Sequence, residues 1–388
     1  MTISEFMPKD VMKRYLTKYI QEDLAKKIVL LTGPRQTGKT TLSKMLKSDY
    51  DYFNFDNLED RLSLQKKSWD RSKDLVIFDE FHKLKNWKSW LKGVYDTEGI
   101  PPSLLVTGSA KLDTYRKVGD SLARRFFQFR MHPLDLKEIK TFVNPENLET
   151  ELEKLLEIGG FPEPFLNGTN RFYNRWKKSH LDIILKQDLI ELENVQQIIQ
   201  IETLIQLLKN RVGSPVSYSS LARDLQCSDK TVKRWLTILE NMYVIFKVSP
   251  FHKNIARAIQ KTPKFYFYDT GQVIGDSGIK LENTVACAIQ KEIHFREDCF
   301  GEEKKVYYLR NKDGKEIDFC TTRNDNPSLM VEVKWKEGTL SSNFEIFKKF
   351  FPQIKMIQVT KELGKEKTFP NGAEIRTAHK WLANLSLQ

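Results

Sequence analysis

The sequence of 388 residues contains few of the residues that bind zinc or form crosslinks. Its four cysteines, Cys227, Cys287, Cys299 and Cys320, lie far apart and form no CxxC pair, which excludes a cysteine-ligated zinc site and a dithiol redox centre. The six histidines are equally scattered, and no two of them stand four residues apart as in a helical zinc site. We therefore expect reduced, mostly packed cysteines and no histidine-based metal centre.

Long apolar runs are also missing from the sequence. No stretch approaches the roughly 18 consecutive apolar residues that a membrane-spanning helix needs. The start, MTISEFMPKDVMKRYLTKYI, lacks the apolar core and small-residue cleavage site of a signal peptide. The composition, with 40% hydrophobic and 29% charged residues, is that of a soluble globular protein. We therefore expect a cytoplasmic protein with no membrane partner.

Positive charge is in excess. The 63 Lys and Arg residues outnumber the 51 Asp and Glu residues, so the formal net charge is +12. Such an excess favours a polyanionic partner, and we expect DNA. A solvated, charge-rich surface without a nucleic-acid partner is the alternative.

The pattern of apolar residues divides the chain into three parts, in keeping with the two or three domains expected from its length. Residues 1–140 alternate short apolar runs (IVLLTG, YFNFD, LVIFDE and SLLVTGSA) with longer amphipathic stretches, which is typical of a parallel sheet with helices on both faces. Residues 141–274 are rich in helix-like segments, and residues 275–388 contain a helix-like stretch followed by strand candidates. We predict an α/β domain, a helical region and a small mixed α/β domain, in that order.

A phosphate-binding loop is predicted in the first domain. GPRQTGKT, residues 33–40, matches G-x-x-x-x-G-K-[ST] and lies between a predicted strand and a predicted helix, as that motif requires. Its backbone N–H groups can bind the phosphates of ATP, while Lys39 reaches the β- and γ-phosphates and Thr40 can bind Mg²⁺. The predicted nucleotide-binding residues are Gly33, Pro34, Arg35, Gln36, Thr37, Gly38, Lys39, Thr40, Thr41 and Ser109.

Two further strands end in polar residues that suit the same site. LVIFDE ends in Asp79 and Glu80. We expect Asp79 to help bind Mg²⁺, directly or through water, and Glu80 to orient the attacking water. SLLVTGSA ends with Thr107 and Ser109, which are placed to sense the γ-phosphate. DEFH also mimics a helicase DExH box, but the sequence has no QxxGRxxR motif for a second lobe, so we interpret His82 as a neighbour of the site.

The motifs resemble those of AAA-type P-loop ATPases of bacteria and archaea that carry a C-terminal winged-helix and restriction-endonuclease-like region. The stretches that carry this resemblance cover nearly the whole chain: GPRQTGKT, IFDE, LVTGSA, SLARRF with HPLDLKEI, GGFPEP, FYFYDTG, LEN, and EIDF with VEVKW. The resemblance implies ATP hydrolysis in a homo-oligomer, with an arginine finger from the neighbouring subunit. Arg125 matches that arginine, but Arg124 replaces the glycine usual before it, so either arginine is a candidate; a surface ion pair is the alternative role.

A helix-turn-helix with a β-wing is predicted from SYSSLARDLQCSDKTVKRWLTILENMYVI. Ser228 can cap its second helix, which places an apolar face at helical spacing. The residues of that face are Val232, Leu236 and Leu239. Basic residues remain on the other faces, and they are the candidate DNA contacts. These contacts are Lys230, Lys233 and Arg234. A protein-docking or purely structural winged helix is the alternative.

Carboxylates and a lysine mark the third domain. In KEIDFCTTRNDNPSLMVEVKW, Glu332 and Lys334 share one face of a strand that follows the strand of Asp318. With Glu282 on the preceding helix, this Glu, Asp, Glu-x-Lys arrangement is similar to the PD-(D/E)xK nuclease superfamily. The similarity implies a Mg²⁺ or Mn²⁺ site at Asp318 and Glu332 for phosphodiester hydrolysis, with Lys334 beside it. The alternative is an inactive nuclease-like fold with a salt-bridged polar face.

Two function classes follow from the sequence. One is Mg²⁺-dependent ATP hydrolysis coupled to DNA binding and to metal-dependent DNA cleavage by the C-terminal domain. The other is an ATP-dependent DNA- or protein-binding switch with an inactive nuclease-like fold. The predicted catalytic residues are Lys39, Glu80 and Arg125 for ATP, and Glu282, Asp318, Glu332 and Lys334 for DNA.

Overall fold

The computed structural model describes residues 14–108, 122, 124–185, 195–251, 262–336 and 338–387. The chain divides into two compact units, and the first consists of Met1–His132 with the short segments Asn241–Tyr243 and Asp298–Phe300. The second consists of Pro133–Glu240, Val244–Glu297 and Gly301–Gln388. Across the described residues, none of the helices has the length and apolarity needed to span a membrane.

The described part of the first unit contains a five-stranded parallel sheet in the order β2-β3-β4-β1-β5. Its strands are β1 Ile28–Thr32, β2 Tyr50–Asn54, β3 Leu75–Asp79, β4 Ser103–Thr107 and β5 Phe126–Arg130. Every residue of β1, β3 and β4 is buried, because strands of a parallel sheet covered on both faces are continuous apolar runs. The predicted α/β fold with a parallel sheet is confirmed.

Helices pack against this sheet around a core that includes aromatic side chains. They are α1 Thr17–Leu24, α2 Lys39–Met45, α3 Leu58–Lys66 and α4 Trp87–Glu98. On α4, the buried residues Trp87, Leu91 and Val94 recur at helical spacing. Phe78 of β3 packs against Phe81 with ring centroids 5.2 Å apart. Asp79 and Glu80, which lie between them in the sequence, are therefore anchored to the core on both sides.

The second unit begins with helices. They are α5 Leu136–Ile139, α6 Leu148–Ile158, α7 Pro162–Asn167, α8 Asn170–Ile183, α9 Val195–Lys209, α10 Tyr218–Asp224 and α11 Asp229–Asn241, followed later in the chain by α12 Ser277–Phe300, α13 Asn343–Lys348 and α14 Ala378–Ala383. Residues of α12 up to Glu297 belong to this unit. The predicted cap of α11 is confirmed, because the Thr231 N–H donates to Ser228 Oγ over 3.1 Å.

An eight-stranded mixed sheet completes the described part of the second unit, in the order β12-β13-β11-β10-β9-β8-β6-β7. Its strands are β6 Ile245–Pro250, β7 Lys264–Phe267, β8 Lys304–Arg310, β9 Glu316–Arg323, β10 Asn326–Lys336, β11 Lys355–Glu362, β12 Lys367–Thr368 and β13 Glu374–Thr377. Because β6 pairs with β8, this sheet joins strands from both sides of residue 274. The predicted domain boundaries at 140 and 274 stay predictions.

A buried polar network links GGFPEP and FYFYDTG in the second unit. Asp269 is 3% exposed and accepts hydrogen bonds from the Tyr173 hydroxyl (3.0 Å) and the Gly271 N–H (3.3 Å). Burial raises the pKa of this carboxyl to about 6. Gly159 caps α6 with φ 72° and ψ −177°, and a Cβ there would overlap Asp269 Oδ1. The backbone and the close approach both require glycine.

Gly159→Ala should therefore destabilise the second unit more than backbone strain alone explains. Gly99, the cap of α4, is a matched control, because it has φ 71° and ψ −150° with open space around its Cα. Each substitution should cost about 1–3 kcal/mol in strain. Gly159→Ala should cost about 1–3 kcal/mol more through overlap with Asp269. Urea unfolding of the two variants tests this, and equal losses of unfolding free energy would contradict it.

Candidate functional site

The predicted phosphate-binding loop connects β1 to α2. Gly33 has φ 140° and Gly38 has φ 91°, which are conformations that L-residues rarely adopt. A Cβ on Gly33 would also overlap the carbonyl oxygen of Met131. The two glycines therefore let the chain turn sharply and begin α2 at Lys39, with the helix N-terminus at the loop. Backbone N–H groups at a helix N-terminus favour an anion such as a phosphate.

Lys39 is held inside this loop. Its side chain is mostly buried, and Nζ donates to the carbonyl oxygens of Gly33 (3.0 Å) and Pro34 (2.6 Å). The hydroxyl of Thr37 donates to the same Pro34 oxygen over 2.9 Å. The ammonium group and the N-terminus of α2 consequently place positive potential in one small concavity.

Asp79 lies at the end of β3 and accepts hydrogen bonds from three hydroxyl groups. Oδ2 accepts from Thr40 Oγ1 (2.8 Å) and from the Tyr52 hydroxyl (2.7 Å), while Oδ1 accepts from Thr107 Oγ1 and from the Glu80 N–H (3.1 Å). Burial and then the charge of Asp79 raise the pKa of Tyr52, which keeps that hydroxyl a donor. The carboxylate and the Thr40 hydroxyl are oxygen donors that fit Mg²⁺.

Tyr52 was not among the predicted site residues, although it stands in the quoted strand YFNFD. It reaches Asp79 because β2 and β3 are neighbours in the sheet, with Asn54 paired to Asp79. Thr107 donates to Asp79, and its predicted role as a sensor of the γ-phosphate stays a prediction. Ser109 lies outside the described residues.

Glu80 follows Asp79 in the left-handed conformation, with φ 54°. Burial raises the pKa of its carboxyl, while the positive charges of Arg35 and Lys39 oppose that rise. Its Oε2 lies 3.7 Å from His82 Nδ1, so the interpretation of His82 as a neighbour of the site is confirmed. The Glu80 carboxyl group therefore lies close enough to the phosphate-binding loop for the charges of Arg35 and Lys39 to affect its pKa.

Arg125 forms a surface ion pair with Asp96. Its Nε lies 2.6 Å from Asp96 Oδ1 and its Nη2 lies 3.1 Å from Oδ2. This two-point contact holds the pKa of Asp96 below its usual range. Arg124 is exposed and has φ 70°. The choice between these arginines as a finger stays a prediction.

The basic residues of α11 lie on its outer side. Val232, Leu236 and Leu239 are buried, as the apolar spacing predicted, and Trp235 is buried as well. Lys230, Lys233 and Arg234 are all exposed. Lys233 Nζ lies 5.2 Å from the centre of the Tyr218 ring, and Arg234 donates to Gln197 over 3.4 Å. Their role as DNA contacts stays a prediction.

The predicted carboxylates of the third domain lie on adjacent elements of the second unit. Strands β9 and β10 are antiparallel, with Phe319 opposite Val331, so Asp318 and Glu332 follow in register. Asp318 Oδ2 accepts from the Val333 N–H over 2.8 Å. Glu332 Oε1 lies 3.1 Å from Lys334 Nζ, as their shared strand face predicted, while its buried Oε2 accepts no hydrogen bond from the described residues.

Lys264 joins this group, and the sequence-based prediction missed it. Its side chain is 1% exposed, and its Nζ lies 2.6 Å from Glu316 Oε1, 3.3 Å from Glu282 Oε1 and 4.0 Å from Asp318 Oδ1. Tyr266, on the same face of β7, donates its hydroxyl to Glu282 over 2.7 Å. The available signal was the single lysine in the otherwise apolar strand KFYF, all of whose residues are buried.

The pKa values of the groups around Lys264 are shifted by burial and by the charges of their neighbours. Burial raises the pKa of Asp318 well above its usual value, and the charges of Glu282 and Glu332 raise it further. Burial lowers the pKa of Lys264, but the surrounding carboxylates outweigh that effect and raise it. No group of three or more His, Cys, Asp or Glu side chains in the described ranges is arranged to hold a metal ion. The predicted metal ligation by Asp318 and Glu332, which involves two protein ligands, stays a prediction.

Comparisons with known proteins match three consecutive parts of the chain to family models. Residues 25–140 match a model described as an AAA domain. Residues 149–280 and 277–371 match two models that are each described as a domain of unknown function (DUF8612 and DUF4143). The AAA match contains the parallel sheet and the phosphate-binding loop.

Relatives are found in bacteria and archaea. An uncharacterized protein of Mycobacterium tuberculosis is 26% identical over 310 residues, which cover 77% of this chain and 68% of the relative. An uncharacterized protein of Methanocaldococcus jannaschii is 24% identical over 369 residues, which cover 86% of this chain and 80% of the relative. These relatives align with most of the chain, beyond the AAA domain.

Solved structures with similar chains include a RuvB variant and a DNA clamp loader protein. A variant of RuvB from Thermotoga maritima is 17% identical with a TM-score of 0.30, covering 67% of this chain and 97% of that chain. The DNA clamp loader delta protein of Bacillus subtilis is 14% identical with a TM-score of 0.26, covering 70% and 98%. Because these TM-scores are low, we base no conclusion on either structure. The family model and the geometry of the loop together identify residues 25–140 as a P-loop ATPase domain of the AAA type.

Proposed function

We propose that this protein is a Mg²⁺-dependent ATPase whose nucleotide state controls the binding of DNA. The observation that carries the ATPase part is the 2.8 Å contact between Thr40 Oγ1 and Asp79, next to a loop in which Lys39 is buried. The Thr40 hydroxyl and the Asp79 carboxylate are groups that can bind Mg²⁺, and the Lys39 ammonium group can bind the terminal phosphates of ATP.

The loop and Lys39 would bind the phosphate oxygens of ATP. The N–H groups at the start of α2 donate to those oxygens, and the ammonium group offsets charge on the β- and γ-phosphates. Thr40 and Asp79 would hold Mg²⁺, which neutralises charge on the same phosphates when it is bound. Tyr52 and Thr107 keep the Asp79 carboxylate oriented by donating to it.

Glu80 would act as the general base for hydrolysis. Its raised pKa makes the carboxylate a stronger base toward a bound water, and its position after Asp79 puts it at the edge of the site. The water oxygen forms a bond to the γ-phosphorus while its proton moves to Glu80. The bond between the γ-phosphorus and the bridging oxygen breaks, and ADP and phosphate leave.

Arg125 would serve as a finger for a neighbouring subunit. It is partly exposed and its ion pair with Asp96 is on the surface, where such pairs are weak. A γ-phosphate presented by another copy of the chain can therefore replace Asp96 as its partner. A homo-oligomer is part of this proposal.

Two substitutions separate nucleotide binding from hydrolysis. Lys39→Ala should lose ATP binding, because it removes the ammonium group from the loop, whereas Lys18→Ala on the exposed side of α1 should bind normally. Glu80→Gln should bind ATP but hydrolyse it about 100-fold or more slowly, because the amide cannot accept the proton. Glu59→Gln on the exposed start of α3 is its control. The measurements are binding of a fluorescent ATP analogue and steady-state phosphate release. Normal hydrolysis in both site variants would rule out the assignment.

DNA binding is the second part of the proposal, and α11 is its candidate surface. Three exposed basic residues, Lys230, Lys233 and Arg234, lie on α11, the second helix of the predicted helix-turn-helix, and the opposite face of α11 is buried. The second helix of such a motif can enter the major groove of DNA. The net charge of +12 supports a polyanionic partner.

Replacing two of these lysines should weaken DNA binding and reduce its dependence on salt. Lys230→Ala with Lys233→Ala should lower the slope of log affinity against log salt by about 1–2, since each phosphate contact contributes about 0.9. A double variant of the exposed residues Lys312 and Lys315 removes the same charge and should change the slope little. Fluorescence anisotropy at several salt concentrations, with and without ATP, provides the measurement. Equal slopes in the two double variants would contradict a contact surface on α11.

DNA cleavage, which the nuclease-like sequence pattern also implies, is not part of this proposal. Among the described residues, Glu282 and Asp318 lie within 4.0 Å of the Lys264 ammonium group, Glu332 pairs with Lys334, and no three such side chains form a metal site. The geometry therefore favours the second function class, in which a nucleotide-dependent switch carries an inactive nuclease-like fold. Incubation with labelled single- and double-stranded DNA in Mg²⁺ and in Mn²⁺ tests this choice, and metal-dependent cleavage would contradict it.

A further inference from the structure

A buried ammonium group lies at the centre of the carboxylate cluster formed by Glu282, Glu316, Asp318 and Glu332. Nζ of Lys264 is within 4.0 Å of a carboxylate oxygen of three of them. Those three carboxylate side chains keep 17–21% of their surface exposed, whereas the lysine keeps 1%. The lysine is therefore the most deeply buried member of the cluster.

The side chain of Lys264 is enclosed by its neighbours and cannot move as the side chain of a surface lysine does. Its Nζ lies 5.4 Å from the centre of the Tyr308 ring, and its strand is covered on both sides, because every residue of β7 is buried. Tyr266, two residues later on the same face, fixes Glu282 through a hydrogen bond of 2.7 Å. The lysine and its partners are thus held in place by the sheet and by α12.

Like-charged carboxylates brought together in a protein interior need a cation to offset their repulsion and their lost hydration. A divalent metal ion is one solution, and the nuclease-like pattern of the sequence suggested it. In this chain Lys264 already supplies a cation within 4.0 Å of Glu282, Glu316 and Asp318, and Lys334 separately pairs with Glu332 at 3.1 Å. A metal ion placed among the same oxygens would be repelled by the ammonium group of Lys264.

We propose that Lys264 is a built-in counter-cation that takes the place of a divalent metal ion, so that the nuclease-like region of this protein is metal-independent and does not cleave DNA. This inference concerns the second unit alone and does not rest on the ATPase proposal. It assigns Lys264 a positioning role: it holds the side chains of Glu282, Glu316 and Asp318 together as a permanent ion-paired cluster.

The first experiment measures Mn²⁺ binding to the full chain without nucleotide, by electron paramagnetic resonance or calorimetry. Wild type and Asp318→Asn should give the same stoichiometry and affinity, because Asp318 does not bind the metal. A site that is present in wild type and lost in Asp318→Asn would overturn the proposal and place a cation at the Asp318 and Glu332 pair. This comparison needs no variant of Lys264, so it remains decisive if such variants fail to fold.

The second experiment replaces the cation itself. Lys264→Met keeps the length of the side chain and removes its charge, so its melting temperature should fall by several degrees, and Mn²⁺ should restore part of that loss. Mn²⁺ should shift the melting temperatures of wild type and Asp318→Asn equally, because a metal ion bound at Thr40 and Asp79 would be common to both. Lys334→Met is the matched control, because Lys334 also pairs with a carboxylate but keeps 36% of its side chain exposed, and its loss should be smaller. A Mn²⁺-dependent rise in wild type that Asp318→Asn lacks, or an equal loss in both lysine variants, would contradict a built-in cation. Phosphate release is measured in parallel, so failure of the ATPase proposal is recognised separately.

Discussion

The carboxylate of Asp79 is the group on which the geometry of the nucleotide site depends. It is 5% exposed, and an ionised group at that depth is tolerated only when its oxygens are hydrogen-bonded. Three hydroxyls from different elements meet this need: Thr40 of α2, Tyr52 of β2 and Thr107 of β4. The same bonds therefore tie the phosphate-binding loop to the sheet and present oxygen donors at the point where Mg²⁺ is needed.

The two units of the chain meet the cost of buried carboxylates in different ways. In the first unit the partners of Asp79 are neutral hydroxyls, which leave its negative charge available to a metal ion. In the second unit the partner of Glu282, Glu316 and Asp318 is the ammonium group of Lys264, which neutralises charge within the chain. This difference is consistent with our proposal that the first site uses a metal ion and that the second has a structural or binding role.

Local sequence patterns predicted much of this structure. Continuous apolar runs located the parallel strands, the glycines at residues 33 and 38 located the loop, and Ser228 located the start of α11. Strand alternation also predicted that Glu332 and Lys334 would meet. What could not be predicted depends on which strands become neighbours. Tyr52 reaches Asp79 and Lys264 reaches Glu316 only through sheet pairing and packing, over separations of 27 and 52 residues that no local pattern encodes.

The central claim is that Asp79 and Thr40 make nucleotide binding depend on Mg²⁺. The most direct measurement is the affinity for ATP with Mg²⁺ and with excess EDTA, in wild type and in Asp79→Asn. This account predicts that Mg²⁺ tightens ATP binding to wild type and has little effect on Asp79→Asn, while the two proteins bind ATP similarly in EDTA. An equal strengthening by Mg²⁺ in both proteins would contradict the account.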